Sequence, residues 1–189
     1  MTGSGRSLGY RHNPLARSMA GKRGSMTEGV YSYSAVLMGS PILLKLFDDN
    51  PTLARQVFQL IKQQENLFTV NRAESEVMSI NQAAGRHAVR VSEAVFRLIS
   101  VAHAVSVSPG SAFNFTIGPV VKRWKIGFQG RAVPPANEIA ALLPLTDPHQ
   151  VILNPEDCSV FLQQPGMEID LGAIAKGYIA DVVQAFLRQ

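Results

Sequence analysis

Near the end of this 189-residue chain, the run Glu168-Ile-Asp-Leu-Gly-Ala-Ile-Ala-Lys-Gly-Tyr-Ile-Ala-Asp181 sets one carboxylate, several small residues and one lysine close together. It reads as a short buried strand with Asp170 at its end, a small-residue turn, and then a helix. Backbone N–H groups at such a helix start face whatever sits above the turn, beside a carboxylate and a lysine. That chemistry suits a phosphate-bearing ligand or a metal. Standing alone, Asp170 is as readily a helix cap, and Lys176 a solvated helix residue. The joint pattern carries more, because Gly172, Ala173, Ala175 and Gly177 leave room for close backbone approach. Neither G-x-x-x-x-G-K-[ST] nor G-x-G-x-x-G occurs, so neither a Walker A loop nor a dinucleotide fold is indicated.

Two further segments could carry chemistry. In Pro109-Gly-Ser-Ala-Phe-Asn-Phe-Thr-Ile-Gly-Pro-Val-Val-Lys-Arg-Trp124, a small-residue turn precedes aromatic and polar groups and the only tryptophan. Backbone groups of Ser111 to Asn114 could hydrogen-bond a planar heterocycle while an aromatic ring covers its face. Phe115 and Trp124 read better as core. Residues 65–81 form a polar loop leading to a short helix, with Ser75 a natural cap, and nothing in their composition requires function.

The elements that must position these segments follow from pattern. Tyr31 to Leu37 and Pro41 to Phe47 are apolar and β-forming, broken by Gly39-Ser40-Pro41, which predicts one bulged strand or two consecutive ones. Asp49-Asn50-Pro51 supplies a cap and a proline for a helix running to about Glu65, with Leu53, Val57, Leu60 and Ile61 at helical spacing. A short helix closes at Gly85. Val89 to Val91 is a short strand, and Ser92 caps a second long helix with Val95, Phe96, Ile99 and Ala102 on one face. Ser111 to Phe128 shows no clean period. Pro134 to Leu143 predicts a helix opened by prolines. Gln150 to Leu153 and Ser159 to Leu162 predict paired strands, and Ile169 to Leu171 a strand entering the last helix. In that helix, Ala175, Ile179, Val182, Val183 and Phe186 face inward. Strands and helices mixed without regular alternation indicate an α+β fold, with a mixed or antiparallel sheet and packed helices.

Composition narrows the function classes. The formal net charge of +4 comes from Arg6, Arg11, Arg17, Lys22 and Arg23, all before the first acid, Glu28; the remaining chain has 13 bases against 14 acids. A nucleic-acid-binding domain is not indicated. Residues 1–28 read as a disordered basic leader or an appended tail, and residues 29–189 as the folded portion. The leader has no apolar run, so it is not a secretory signal, and no stretch is long enough to span a membrane. The single cysteine, Cys158, rules out an intrachain disulfide and reads as a buried or half-buried structural thiol.

Four blocks, in order, resemble the FAD:protein FMN transferases, the ApbE family formerly called thiamine-biosynthesis lipoproteins. Met38-Gly39-Ser40 corresponds to the family's M-G-T, and Asn71 to Asn81 to its S-E-x-x-x-x-N region. Ser111 to Pro119 corresponds to G-A-F-D-x-T-x-G-P, and Asp170 to Asp181 to D-L-G-x-x-A-K-G-Y-x-x-D. The resemblance implies an ApbE-like flavin transferase domain. Such an enzyme splits FAD at its pyrophosphate with the help of magnesium, releases AMP and attaches FMN to a serine or threonine of an acceptor protein. Met38, Asn71, Ala112, Phe113, Asn114, Asp170 and Lys176 would contact FAD, and the Ala173 carbonyl would contact the metal. Ser111 stands where glycine is usual and restricts the loop slightly. Asn114 replaces the usual Asp, which removes a charge beside the ligand but keeps hydrogen bonding.

The family's carboxylate and threonine metal ligands, and a histidine suspected of acid–base work, would lie beyond residue 189. Residues 29–189 thus read as the N-terminal portion of a C-terminally incomplete domain, inactive by itself. The alternatives are a non-catalytic FAD-binding module and an FAD pyrophosphate hydrolase. Many relatives are exported lipoproteins, but this chain has neither a hydrophobic signal nor an early cysteine, which favours a cytoplasmic location, or a periplasmic one if the leader is not native.

Overall fold

A computed structural model describes residues 29–69, 75–125 and 132–189. The 1–28 leader and Asn71 lie outside the described residues. The chain divides into two compact units, Met1–Phe58 and Gln59–Gln189; the first long helix contributes residues to both.

In the first unit, β1 (Tyr31–Leu37) and β2 (Ser40–Leu46) pair antiparallel, from Tyr31 opposite Leu46 to Leu37 opposite Ser40. The apolar run is thus two strands rather than one with a bulge. Met38 (φ +52°) and Gly39 (φ +68°) fill the two-residue tip. Two left-handed residues in succession make the type I′ turn, whose twist matches the flanking strands. Tyr33 is buried and donates to Asp49 Oδ1 at 2.6 Å. Burial, with that carboxylate as acceptor, raises the phenol's pKa.

Helix α1 (Pro51–Phe68) starts as its residues predict: Asn50 Oδ1 accepts from the Leu53 N–H at 2.9 Å, and proline occupies the first turn, where no N–H is needed. It continues one turn past Glu65 to Phe68, which is buried and meets the Tyr178 ring edge to face at 5.5 Å. That contact supplies what local propensity lacks at the helix end.

The second unit contains α2 (Glu76–Ala83), β3 (Val89–Arg90), α3 (Glu93–Ser106), α4 (Gly118–Trp124) and α5 (Ala136–Leu142). Two 3-10 turns follow, Leu143–Thr146 and Pro148–Gln150, then β4 (Val151–Asn154), β5 (Ser159–Leu162) and α6 (Gly172–Leu187). The sheet order is β3-β5-β4, antiparallel throughout. α2 packs on β5, and α3 on α6. Ser75 caps α2 by accepting from Met78 N at 3.0 Å, and Ser92 caps α3 through Val95 N at 3.5 Å. Val95, Leu98, Ile99 and Ala102 form the buried face of α3, so Leu98 rather than Phe96 completes the stripe. Cys158 is half-buried, in the β4–β5 turn with φ +53°. Beside it, hydrogen bonds from Ser159 and the nearby Arg90 guanidinium hold the Asp157 carboxyl below its ordinary pKa, against partial burial.

Three expectations need correction. Ile169 to Leu171 is not a strand, although Met167, Ile169 and Leu171 alternate inward and are fully buried. Each such burial is worth about 1.5–3 kcal/mol, so the segment is extended to fill the core, yet no strand among the described residues pairs with it. Trp124 is not core: it is 38% exposed, at the end of a seven-residue helix stopped by Lys125 at φ +52°. In α6, only Ala175 and Ile179 are buried, while Val182, Val183 and Phe186 are half-buried.

Candidate functional site

The 111–119 and 170–176 segments are held together by backbone. The Asp170 N–H donates to Phe115 O at 2.8 Å, and Phe115 is fully buried, meeting His103 edge to face. At this junction lies an open cavity of about 430 Å³. One wall is the loop of Ala112, Phe113 and Asn114; a second is Ile117 and Val121 on the approach to and within α4. The third is Asp170, Gly172 and Ala173 at the start of α6.

Loop 110–114 is shaped by small polar contacts. Gly110 takes φ +75°, and the Phe113 N–H donates to Ser111 Oγ at 3.2 Å. Ser111 itself is not among the left-handed residues, so serine sits there without backbone strain. The slight restriction expected of it is a hydroxyl-closed turn that holds Phe113 at the cavity.

Asn114 is half-buried and its amide is committed inward. Its Nδ2 donates to Thr146 O at 2.7 Å, and its Oδ1 accepts from the Thr116 N–H at 2.9 Å and lies 2.6 Å from Thr116 Oγ1. Thr116 is fully buried, and its hydroxyl also lies 2.8 Å from Thr146 O. With one proton, that hydroxyl serves one of the two acceptors at a time. Asn114 lines the cavity, but its hydrogen bonds fasten the loop to the 3-10 turn at Thr146 rather than pointing into open space. Asn114→Asp should keep both Thr116 contacts and turn the Thr146 contact from donor–acceptor into two opposed oxygens. A loss of about 1–3 kcal/mol is expected at neutral pH. Such an unsupported carboxylate has a raised folded-state pKa, so the lost stability returns as pH falls through that value and is fully restored only below about pH 4. Thermal melts of both proteins across pH check this; a pH-independent gap would refute it.

At α6, Asp170 Oδ1 accepts from the Gly172 N–H at 2.8 Å, and Leu171 O accepts from Ile174 N and Ala175 N. The Ala173 N–H is the amide of this first turn without a protein acceptor among the described residues. It borders the cavity at the positive end of a 16-residue helix, which favours an anionic group there. The Ala173 carbonyl points along the helix toward Gly177, leaving its second lone pair at the helix flank. A side chain four residues on would stand beside that lone pair. Gly177 has none, and a Cβ built there would meet nothing within 4 Å. An Asp170 carboxylate oxygen not used by Gly172 and an uncovered Ala173 carbonyl are hard oxygen donors that fit magnesium. That ion takes few protein ligands and completes its shell with phosphates and water.

Lys176 does not line the cavity. It is exposed, one turn beyond Gly172 and Ala173 on the same side of α6, and makes no hydrogen bond or ion pair among the described residues. Met38 belongs to the Met1–Phe58 unit, at the β1–β2 tip. Among the described residues, no three His, Cys, Asp or Glu side chains converge to hold a metal, and no helix is long and apolar enough to cross a membrane.

Other participants escaped the sequence. Ile117 and Val121 give the cavity its apolar side, hidden because Gly118-Pro119 obscures a helix of only two turns. Gly118 packs directly on the chain before Asp170: a Cβ there would lie 2.6 Å from Glu168 O. Lys122 Nζ bridges to Glu168 Oε1 at 2.7 Å, and Arg123 pairs with Glu138 of α5. The first pair is exposed on the lysine side and adds about 1 kcal/mol at most. Glycine where a helix needs no flexibility was the available signal.

An extended buried segment, an aromatic loop and a helix start meet around one cavity in an α+β fold. A sequence model of the ApbE family matches residues 38–189, and the chain belongs to that family. It is 66% identical over 160 residues to the FAD:protein FMN transferase of Klebsiella pneumoniae (strain 342), covering 85% of this chain and 51% of that protein. It is 33% identical over 167 residues to the FAD:protein FMN transferase of Treponema pallidum (strain Nichols), covering 83% of this chain and 46% of that one. The crystal structure of the ApbE protein from Thermotoga maritima superposes with a TM-score of 0.76 at 27% identity, over 82% of this chain and 52% of the other. The chain spans about half the length of the relatives it matches.

Proposed function

We propose that this chain supplies the FAD-binding wall of a magnesium-dependent FAD:protein FMN transferase. The observation that carries the reading is the meeting of the Ala112–Asn114 loop with the Asp170–Ala173 turn around one cavity. Phe113, Ile117 and Val121 offer an apolar and aromatic side for a flavin or adenine ring, while the Ala173 N–H and α6 start favour a phosphate. Lys176, one turn further on the same side of α6, would add a positive charge for the same anion. Asp170 and the Ala173 carbonyl would hold magnesium, which when bound neutralises pyrophosphate charge as it develops. Met38 and Asn71 are further proposed FAD contacts.

In the reaction, a serine or threonine hydroxyl of the acceptor protein forms a bond to the FMN phosphorus. The pyrophosphate P–O bond breaks, AMP leaves, and the hydroxyl proton passes to a base. The residues here bind and orient: Asn114 holds the loop, Asp170 the turn, and the apolar side excludes water. A second reading, a non-catalytic FAD-binding module, is favoured by Asp170 being the one ionisable residue lining the cavity among the described residues. FAD titration followed by quenching of flavin fluorescence, with AMP and protein-bound flavin assayed in the presence of magnesium and an acceptor protein, separates them. In a protein that carries the whole domain, transfer predicts one AMP per covalent flavin; binding without AMP there supports the module, AMP with free FMN supports a hydrolase, and absence of binding defeats all three.

A further inference from the structure

The segment that carries Asp170 has no strand neighbour among the described residues, yet every residue from Glu168 to Asp170 is held. Glu168 lies under the start of α4, against Gly118, and the Asp170 N–H is bonded to Phe115 O. Between them, Ile169 is gripped by a side chain. Asn81 Nδ2 donates to Ile169 O at 3.0 Å, and Asn81 Oδ1 accepts from the Ile169 N–H at 2.8 Å. The primary amide offers the donor and acceptor pair that an adjacent strand would offer, at a single residue. The planar amide sets donor and acceptor side by side, whereas an ionised carboxylate lacks the donor and an aliphatic group lacks both.

Asn81 is suited to act as a fixed post. It stands on α2, a helix capped by Ser75 and anchored by buried Val77 and Ile80. Glu76, in the first turn, accepts from the Ser92 N–H and ties α2 to the start of α3. Asparagine is a poor helix former because its amide competes for backbone groups. Here that amide is turned away from its own helix toward a partner 88 residues on.

We infer that Asn81 is a positioning residue for the Asp170–Ala173 turn: by holding both backbone groups of Ile169, it sets where the Asp170 carboxylate and the first N–H groups of α6 stand in the cavity. The functional side of this inference rests on the proposed FAD site; the structural side does not. In the ligand-free protein, Asn81→Leu should speed hydrogen exchange of the Ile169, Asp170 and Gly172 amides by about 10- to 100-fold, as expected for buried polar groups left unpaired. The Leu98 and Ile99 amides of α3 should keep their protection. Asn81→Asp, which retains the acceptor for the Ile169 N–H, should give a smaller local effect and serves if the leucine variant does not fold.

FAD affinity should fall by about 10-fold in Asn81→Asp, and the double variant with Asp170→Ala should lose less than the two single losses added together, because both act on one turn. Unchanged exchange at residues 169–172, equal acceleration in α3, or additive losses in affinity would each overturn the inference. If the wild-type chain does not bind FAD, the exchange result still decides the role of Asn81, and the proposed function is what fails.

Discussion

Gly118→Ala is expected to destabilise the Gln59–Gln189 unit by about 3 kcal/mol or more, at the upper end of what overpacking costs. A Cβ at this position would lie 2.6 Å from Glu168 O, 2.8 Å from Glu168 Cβ and 2.9 Å from Glu168 C. Two of those atoms are backbone and cannot rotate away. The chain cannot retreat easily either, because Asn81 grips Ile169 and Phe115 O holds Asp170. Relief must come from moving α4, which carries Val121, or from tilting the Asp170 turn; either distorts the cavity. A drop of about 10 °C in the melting midpoint is expected, taking some 2–4 °C per kcal/mol for a unit of this size. Gly177→Ala is the control: its Cβ meets nothing within 4 Å, and removing a helix-interior glycine should raise stability by about 0.5–1 kcal/mol. A Gly118→Ala protein that melts with the wild type would show that the close approach is not the constraint described.

Lys176→Ala should leave stability within about 0.5 kcal/mol, as for a surface substitution away from packing, and weaken FAD binding by about 10-fold or more. Lys176 is exposed and makes no ion pair among the described residues, so its removal leaves no orphaned partner there. The loss should be largest at low ionic strength and shrink as salt screens the pyrophosphate, since the ammonium acts through charge. Lys176→Arg should recover part of the affinity. Titrations of the three proteins at two salt concentrations test this; equal affinities at low salt would remove Lys176 from the site.

The helices with strong local signals were legible from their residues alone. Asn50-Pro51 and Ser92 mark the starts of α1 and α3 because a cap is a local device, readable within four positions. The β4–β5 pairing was legible from its local turn as well, whereas residues 31–47 left one bulged strand and two strands both open. α4 was not, because it opens on Gly-Pro and is too short to show a period. Ile169 looked like a strand because its apolar alternation records burial, and burial does not say whether a strand or an amide occupies the neighbouring space. Half of the candidate site was legible through Asp170, Ala173 and the Ala112–Asn114 loop. The inward turn of the Asn114 amide and the grip of Asn81 depend on partners 32 and 88 residues away, which no window of sequence contains.

The three holds on the Asp170 segment also set an order of assembly. Asn81, Phe115 and Gly118 all precede the segment they fix, and the Asn81–Ile169 and Lys122–Glu168 contacts close loops of 88 and 46 residues. Each doubling of such a loop adds only about 0.6 kcal/mol of closure entropy, so the longer hold is little dearer than the shorter one. The receiving surfaces on α2, the loop at Phe115 and α4 can be in place before the segment arrives, and the cavity gains its third wall when residues 168–173 dock. During synthesis, the cavity is thus among the last features this unit completes, and a flavin bound at the proposed site would report a chain whose long-range contacts are already made.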